Sequence, residues 1–400
     1  MTYRLYPTPS QQSRLFHYLY VGRTLYNHAL EQRIACYKDK DSKSLSFIDQ
    51  TMDLTHLRAV SQVLADIPVS IERDALDRLD KAYSNFFRRV KEGKEKPGFP
   101  RFKSANRWNS FGISNPGKVI WHNTKIYVAG VGKINGRNVR AFVGKAKVLR
   151  IVLKAGKWYA KVVVDDGQEP PALQSVKSAI GIDVGLSAFA TLDTGEKVEN
   201  PRFYRNMERR LAKANRNVSR KVKGSRNRRK AVVRLQQVHA KIQDQRSNFT
   251  HHLSKRLIAE HQLIAVEDLI IKGMVRNKRL SKSILDAAWG QFIFQLSYKA
   301  EEAGCLLLKV NPRGTSQECS KCGQTVQKDL SVRVHSCPHC DLVLDRDVNA
   351  AKNILQRALR DRSAPGPGRG IGNACGGDVR PASVGGPLRS RKSLPCSIQG

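Results

Sequence analysis

Across 400 residues, lysine and arginine number 71 against 34 acids, a formal net charge of +37. The length allows about two to four domains and a sizeable core. An excess of cations that large is more than a solvated surface needs and points to a polyanionic partner, nucleic acid being the usual one; a membrane is the weaker alternative, because no apolar span of ~20 residues stands out.

The start, Met1-Thr2-Tyr3-Arg4-Leu5-Tyr6-Pro7, lacks the apolar core of a secretory signal. Tyr3–Tyr6 alternates as a strand, and Pro7-Thr8-Pro9-Ser10 stops it and opens a helix through Leu15, Leu19, Leu25, Tyr26, Ala29, Leu30 and Ile34, with Gly22 a candidate bend. Cys36 reads as a buried small residue. A second helix is expected from Ile71 to Val90, with Ala75, Leu79, Ala82, Phe86 and Phe87 as its core stripe. Its cations, Arg73, Arg78, Lys81, Arg88 and Arg89, are either a solvated face or phosphate contacts. Two prolines and a glycine break the chain at 94–103, where Phe99, Arg101 and Phe102 interleave aromatics with cations. That pattern suits either nucleic-acid contact or a loop pinned on a core. Short alternating strands follow at Val119–Trp121, Lys125–Val128, Val148–Leu153 and Trp158–Val164, a small barrel or sheet that the first strand can complete.

After a Gly167–Pro171 linker, the apolar run Ala179-Ile180-Gly181-Ile182 leads to Asp183, and a second run leaves at Ala188–Leu192. This is a hairpin with a carboxylate at the end of a buried strand, which is costly unless a cation compensates it. A divalent metal would do so, and a turn cap is the alternative. Residues 201–260 are helical and cation-rich, divided at Gly224-Ser225, with Arg220 and Lys221 among many candidates for phosphate contact. Leu263–Val266 is a second apolar strand ending in Glu267, followed by a basic loop with Arg276, Lys278 and Arg279. Ile284–Ala303 reads as one helix and Cys305–Val310 as a third buried strand. Asp345 or Asp347 then opens a helix with Val348, Ala351, Ile354 and Leu355 on its apolar face. Beyond Arg362 the chain is rich in Gly, Pro, Ser and Arg, and a disordered tail is expected over 361–400.

Of eight cysteines, Cys319, Cys322, Cys337 and Cys340 form two Cys-x-x-Cys pairs fourteen residues apart. Two such knuckles close a four-thiolate zinc site with no open position, so the zinc is structural; this is metal-site usage in a reducing compartment. His335 and His339 read as bystanders, and Lys321, Lys328 and Arg333 are candidates to meet a phosphate backbone. Asp183, Glu267 and Asp347 form the second constellation. Their order, strand–hairpin, helices, strand, helix, strand, helix, is that of an RNase H-like α/β domain. Three converging carboxylates can hold two Mg2+ ions ~4 Å apart across a phosphodiester, the alternative being three unrelated acids.

Gly181-Ile182-Asp183-Val184-Gly185, Val266-Glu267-Asp268-Leu269, Trp289-Gly290-Gln291-Phe292, the cysteine ribbon and Asp345-Arg346-Asp347-Val348-Asn349-Ala350-Ala351 together resemble TnpB. These are RNA-guided DNA nucleases encoded by insertion sequences and related to the ancestors of type V CRISPR effectors. Earlier matches are Arg4–Pro7, Tyr26-Asn27, Leu79–Phe87 and Gly98–Phe102, so the resemblance runs to about residue 360.

The resemblance implies a multidomain α+β protein. A wedge β-barrel is expected over 1–8 and 118–170, with a helical recognition domain inserted at 9–117. A RuvC-like nuclease domain is expected over 177–314 and 342–360, and a zinc ribbon that binds target nucleic acid at 315–341. It further implies catalysis by Asp183, Glu267 and Asp347 with two Mg2+ (or Mn2+), and one Zn2+ on the four cysteines. A monomer on a guide RNA derived from the transposon end would cleave double-stranded DNA beside a short adjacent motif, in a prokaryotic cytoplasm. Where relatives often carry glutamine, this chain has Ile71-Glu72-Arg73-Asp74, which leaves the adjacent motif open; Arg73 could meet a guanine edge or a phosphate. A catalytically silent RNA-guided regulator and a guide-independent transposase are the alternative functions.

Overall fold

The computed structural model describes residues 1–39, 44–93, 96–122, 124–329 and 332–363; the tail expected beyond Arg362 lies almost wholly outside them. The chain divides into two units, Met1–Glu169 with Asn206–Asp244, and Pro170–Arg205 with the chain from Gln245 onward.

In the first unit, β1 (Thr2–Tyr6) buries Tyr3 and Leu5 and leaves Thr2 and Tyr6 exposed, as its alternation requires. Thr8 then caps α1 (Pro9–Lys38) in a reciprocal box with Gln11. The helix continues through Gly22, which lies against the Trp108 ring and makes no bend. Cys36 is half-buried and not core. A Ser46–Asp49 capping box starts α2 (Phe47–Val60), followed by α3 (Gln62–Ala65) and α4 (Val69–Lys91). The stripe of α4 is Ile71, Ala75, Leu76, Leu79 and Tyr83; Phe87, expected in the core, emerges 59% exposed and leaves the stripe. Nor is Arg78 a solvated cation: it pairs with Asp74 at 2.8 Å, donates to Ser110 O and lies over the Trp108 ring.

Six more strands complete this unit: β2 (Ser110–Ser114), β3 (Ile120–Trp121), β4 (Lys125–Val128), β5 (Gly132–Arg137), β6 (Lys145–Lys154) and β7 (Lys157–Asp165). They form an antiparallel seven-stranded sheet in the order β2-β6-β7-β1-β5-β4-β3, with β1 central between β7 and β5. Sequence alternation misses β2 and β5. One is short and interrupted by Gly112, and the other contains two glycines and buries only Ile134.

The second unit opens with β8 (Ala179–Val184), β9 (Ala188–Leu192) and β10 (Lys197–Glu199). The cation-rich helices α5 (Phe203–Ser219) and α6 (Arg226–Glu260) follow, separated around Gly224. Their Asn206–Asp244 portion groups with the first unit. Then come β11 (Leu263–Glu267), α7 (Ile271–Met274), α8 (Ser281–Ala287), α9 (Trp289–Ala303) and β12 (Leu306–Val310). The helix expected over 284–303 is two, broken at Ala288, which adopts a left-handed φ of 59°. Last are β13 (Val334–Ser336), β14 (Val343–Asp345) and α10 (Arg346–Ser363).

These strands form a five-stranded sheet in the order β10-β9-β8-β11-β12, with β8, β11 and β12 parallel. Every residue of β11 is buried, as expected of a parallel strand covered on both faces. Ile180, Ile182, Ile264 and Val266 face one core with Leu257, Phe292 and Leu296; Leu263 and Ala265 face the other, with Ile354 and Ala358 of α10. Among the described residues no helix is long and apolar enough to cross a membrane.

Candidate active site and metal centre

Strand alternation decides where the acids fall. Ile180 and Ile182 occupy the α9 face of the sheet, so Gly181 and Asp183 occupy the α10 face; by the same count Leu263, Ala265 and Glu267 lie on it too. Because Ile182 pairs with Val266 in parallel register, the next step sets Asp183 beside Glu267. Helix α10 closes on this face at Gly181, where a Cβ would stand 2.1 Å from Ala351 O and 2.9 Å from Leu355 Cβ. Asp347 precedes Ala351 by one helical turn, about 6 Å of rise. Asp183 follows Gly181 by two strand residues, about 6.6 Å. The two spans match, so Asp347 approaches Asp183, which Glu267 flanks, at the C-terminal ends of β8 and β11.

Their electrostatics follow from this crowding. Burial raises the Asp183 carboxyl well above its ordinary range, and the charges of Glu267 and Asp347 raise it further, against an opposing pull from Arg346. Glu267 is 9% exposed and raised by burial; the Thr315 hydroxyl, which donates to Oε1 at 2.5 Å, and Arg357 act in the other direction. Two carboxylates about 5 Å apart on neighbouring strands repel by about 3 kcal/mol at an effective dielectric of 20. A divalent cation bound between them would remove that cost, and hard oxygen donors suit Mg2+ or Mn2+.

The structure separates Asp345 from Asp347. Asp345 Oδ1 accepts from the backbone N–H groups of Asp347 and Val348 at 3.0 and 3.2 Å, and Oδ2 pairs with Lys197 at 2.6 Å. Burial raises this carboxyl, but Lys197 and those two N–H groups outweigh it and leave it below its ordinary value. Asp345 is thus engaged as the cap of α10. Asp347 is half-buried, held by Arg346 at 2.9 Å, with Arg333 at 3.9 Å.

The four cysteine sulfurs lie within 4.8 Å of one another, with Cys319–Cys340 and Cys322–Cys337 each at 3.6 Å. Tetrahedral zinc with Zn–S bonds of about 2.3 Å needs sulfurs about 3.8 Å apart, so the set fits the ion. Each knuckle turns on a left-handed residue after its second cysteine, Gly323 in one and Asp341 in the other. Burial raises the Cys319 thiol, but the N–H groups of Cys322 and Lys321 prevail and draw it to about 6. His339 is exposed; His335 is fully buried with Nδ1 against Lys328 Nζ, so Lys328 serves the ribbon interior. Cys305, expected as inert core, is buried with its thiol pushed up to about 11.

The candidate nucleic-acid residues divide between the two units. Arg73, Phe99, Arg101, Phe102, Arg220 and Lys221 belong to the first unit, and Arg276, Lys278 and Arg279 to the second; all nine are exposed. Phe99 sits edge-on to Tyr83 and Phe86, so it is anchored while 46% exposed. Thr315 carries no signal of its own in the sequence, and its contact with Glu267 emerges only in three dimensions.

Known proteins resemble this chain in sequence and in fold. Residues 161–278 fit a family model described as a probable transposase, OrfB of IS605, and residues 289–354 a Cas12f1-like TNB domain. Residues 1–42 fit a helix-turn-helix domain, although the described residues among them, 1–39, hold a strand and one continuous helix. A Streptomyces pristinaespiralis protein named putative RNA-guided DNA endonuclease is 33% identical over 387 residues, 95% of this chain and 91% of its own. The Escherichia coli K12 protein named putative RNA-guided DNA endonuclease InsQ is 32% identical over 311 residues, 74% of this chain and 76% of its own. The fold is shared with the Cas12f1 chain of a Cas12f1–sgRNA–target DNA complex, at a TM-score of 0.53 and 14% identity, over 86% of this chain and 82% of that one. With a relative this similar along nearly its whole length, the chain belongs to the TnpB family.

Proposed function

We propose that this protein is an RNA-guided, Mg2+-dependent DNA endonuclease of an insertion sequence. It would act on double-stranded DNA beside a short adjacent motif, as a monomer on a guide RNA from the transposon end. The observation that carries this is the approach of Glu267 and Asp347 to Asp183 on one face of the sheet, where burial raises the carboxyls of Asp183 and Glu267 and the charges of Glu267 and Asp347 raise Asp183 further. The names of relatives agree with it, and a net charge of +37 suits guide, heteroduplex and displaced strand.

Asp183, Glu267 and Asp347 would hold two Mg2+, with Mn2+ able to replace them. When bound, the ions supply charge neutralisation at the attacking and leaving oxygens of the phosphodiester. Arg346 and Arg333 balance the charge of Asp347. Cys319, Cys322, Cys337 and Cys340 would hold one structural Zn2+ in a ribbon contacting target nucleic acid. The sheet and helices of the first unit would form the wedge and recognition parts, with Arg73, Phe99, Arg101 and Phe102 meeting nucleic acid there. Arg220, Lys221, Arg276, Lys278 and Arg279 would follow the phosphate backbone.

The test is Asp183→Ala, assayed for guided plasmid cleavage and for RNA-dependent DNA binding. Cleavage should disappear while binding persists. Loss of both would make Asp183 a structural residue, and cleavage unaffected by RNase treatment of the purified protein would remove the guide from the mechanism.

A further inference from the structure

The loop from Asn311 to Ser320 leads into the first zinc knuckle, yet it also reaches the carboxylate centre. Thr315 is 4% exposed and its hydroxyl stands 2.5 Å from Glu267 Oε1 and 3.0 Å from Pro312 O. A hydroxyl has one proton, and the carboxylate is the stronger acceptor, so the bond is a charge-assisted donation to Glu267. Among the described residues Glu267 Oε2 takes no hydrogen bond. The contact therefore fixes one oxygen of the carboxylate and leaves the other to a further ligand.

Thr315 is itself held firmly. Asn353, 1% exposed, donates through Nδ2 to Thr315 O at 2.8 Å and to Glu318 O at 2.7 Å. Asn349, fully buried, donates to the same Glu318 O at 2.7 Å and accepts from Ser320 N at 2.9 Å. Arg357 adds hydrogen bonds to Arg313 O at 2.7 Å and Asn311 O at 3.0 Å. These residues come from one helix, α10, which also carries Asp347. The group that orients Glu267 and the acid that joins it are thus built on a single rigid element.

We propose that Thr315 is a positioning residue for Glu267, holding one oxygen so that the carboxylate presents the other to a divalent cation shared with Asp183. The inference rests on the carboxylate-centre reading above. It requires the hydroxyl, and it is independent of the zinc, whose ligands begin four residues later.

The experiment is a Mn2+ titration of the full chain followed by electron paramagnetic resonance of the free ion, with zinc content measured on the same samples. Thr315→Val keeps the shape and removes the donor, and should weaken Mn2+ binding about tenfold or more at about one zinc per chain. Thr315→Ser keeps the donor and should bind close to wild type, whereas Thr315→Ala should resemble Thr315→Val. Equal Mn2+ affinity in the Ser and Ala variants at equal zinc content overturns the proposal, even where Thr315→Val proves too unstable to measure. Asp183→Ala separates the two levels. If it abolishes Mn2+ binding while the Thr315 variants bind normally, only the positioning role falls; if it too binds normally, the carboxylate centre falls and this role with it.

Discussion

Gly181→Ala isolates the contact that brings Asp347 to the sheet. The added Cβ would stand 2.1 Å from Ala351 O and 2.9 Å from Leu355 Cβ, with Leu355 N at 3.1 Å. A carbon and a carbonyl oxygen need about 3.3 Å, so α10 has to retreat by about 1 Å. The obstacle is backbone on one side and a Cβ on the other, and neither can swing away. Overpacking of this kind costs about 1–3 kcal/mol, and an obstacle that rigid argues for the upper end, roughly 3 kcal/mol. At about 2–4 °C per kcal/mol for a body of this size, Tm should fall by roughly 6–12 °C. The same retreat carries Asp347 off Asp183, and a misplacement of about 1 Å costs on the order of 100-fold in rate. Thermal melts with and without Mg2+, beside guided cleavage well below the new Tm, separate the two effects. A variant that melts with wild type and cleaves at the wild-type rate would refute the close approach and the geometry built on it.

Three further outcomes are expected. Asp183 and Glu267 have raised pKa values in the folded, metal-free protein. Between the unfolded carboxylate pKa of about 4 and those raised values the folded state binds more protons, so stability falls as pH rises through that window. Asp183→Asn should therefore raise the metal-free Tm above pH ~5 and abolish the extra stabilisation that Mg2+ gives wild type at higher pH; a melt series across pH checks both. Cys337→Ser should release about one zinc per chain, by elemental analysis, and loosen the second unit to proteolysis. Arg58→Ala strands Glu72, whose side chain is 0% exposed and paired to it, at a cost of about 3–5 kcal/mol; Glu72→Gln in that background should recover most of the loss in a denaturant melt.

Legibility in the sequence tracked how locally each feature is encoded. Asp183 and Glu267 stand at the ends of short continuous apolar runs, which mark a buried strand and its end, while the face each acid takes follows only from the packing of the sheet. The cysteine spacing is equally local. Asp345 and Asp347 could not be separated, because both sit at a helix start and only side-chain geometry shows that Asp345 is the cap. The burial of Arg78 is not legible in its basic helix, since Ser110 and Trp108, which cover it beside Asp74, lie far along the chain. The break at Ala288 is invisible for a related reason: alanine favours helix, and a left-handed alanine is imposed by tertiary packing. Helical spacing cannot show where along α4 the covering core ends, and Phe87 lies beyond that end.

Helix α10 explains why the last motif of the chain is so dense in polar residues for a buried element. Asp347, Ala351 and Leu355 recur every four residues and form the row that meets β8; the small side chain at 351 and the glycine at 181 let the backbones approach. Asn349, Asn353 and Gln356 form a second row, whose amides bind the carbonyls and one N–H of the loop before and through the first knuckle. Two buried asparagines on one helix would be costly were their amides unpaired. Here Nδ2 of each is satisfied by Glu318 O, which accepts from both. A leucine at 353 would take from Thr315 O its amide donor and from Glu318 O one of two, and a leucine at 349 would take the other and leave Ser320 N without its acceptor. The polarity of this row therefore serves the position of the loop rather than the stability of the helix, and through Thr315 the loop position reaches Glu267.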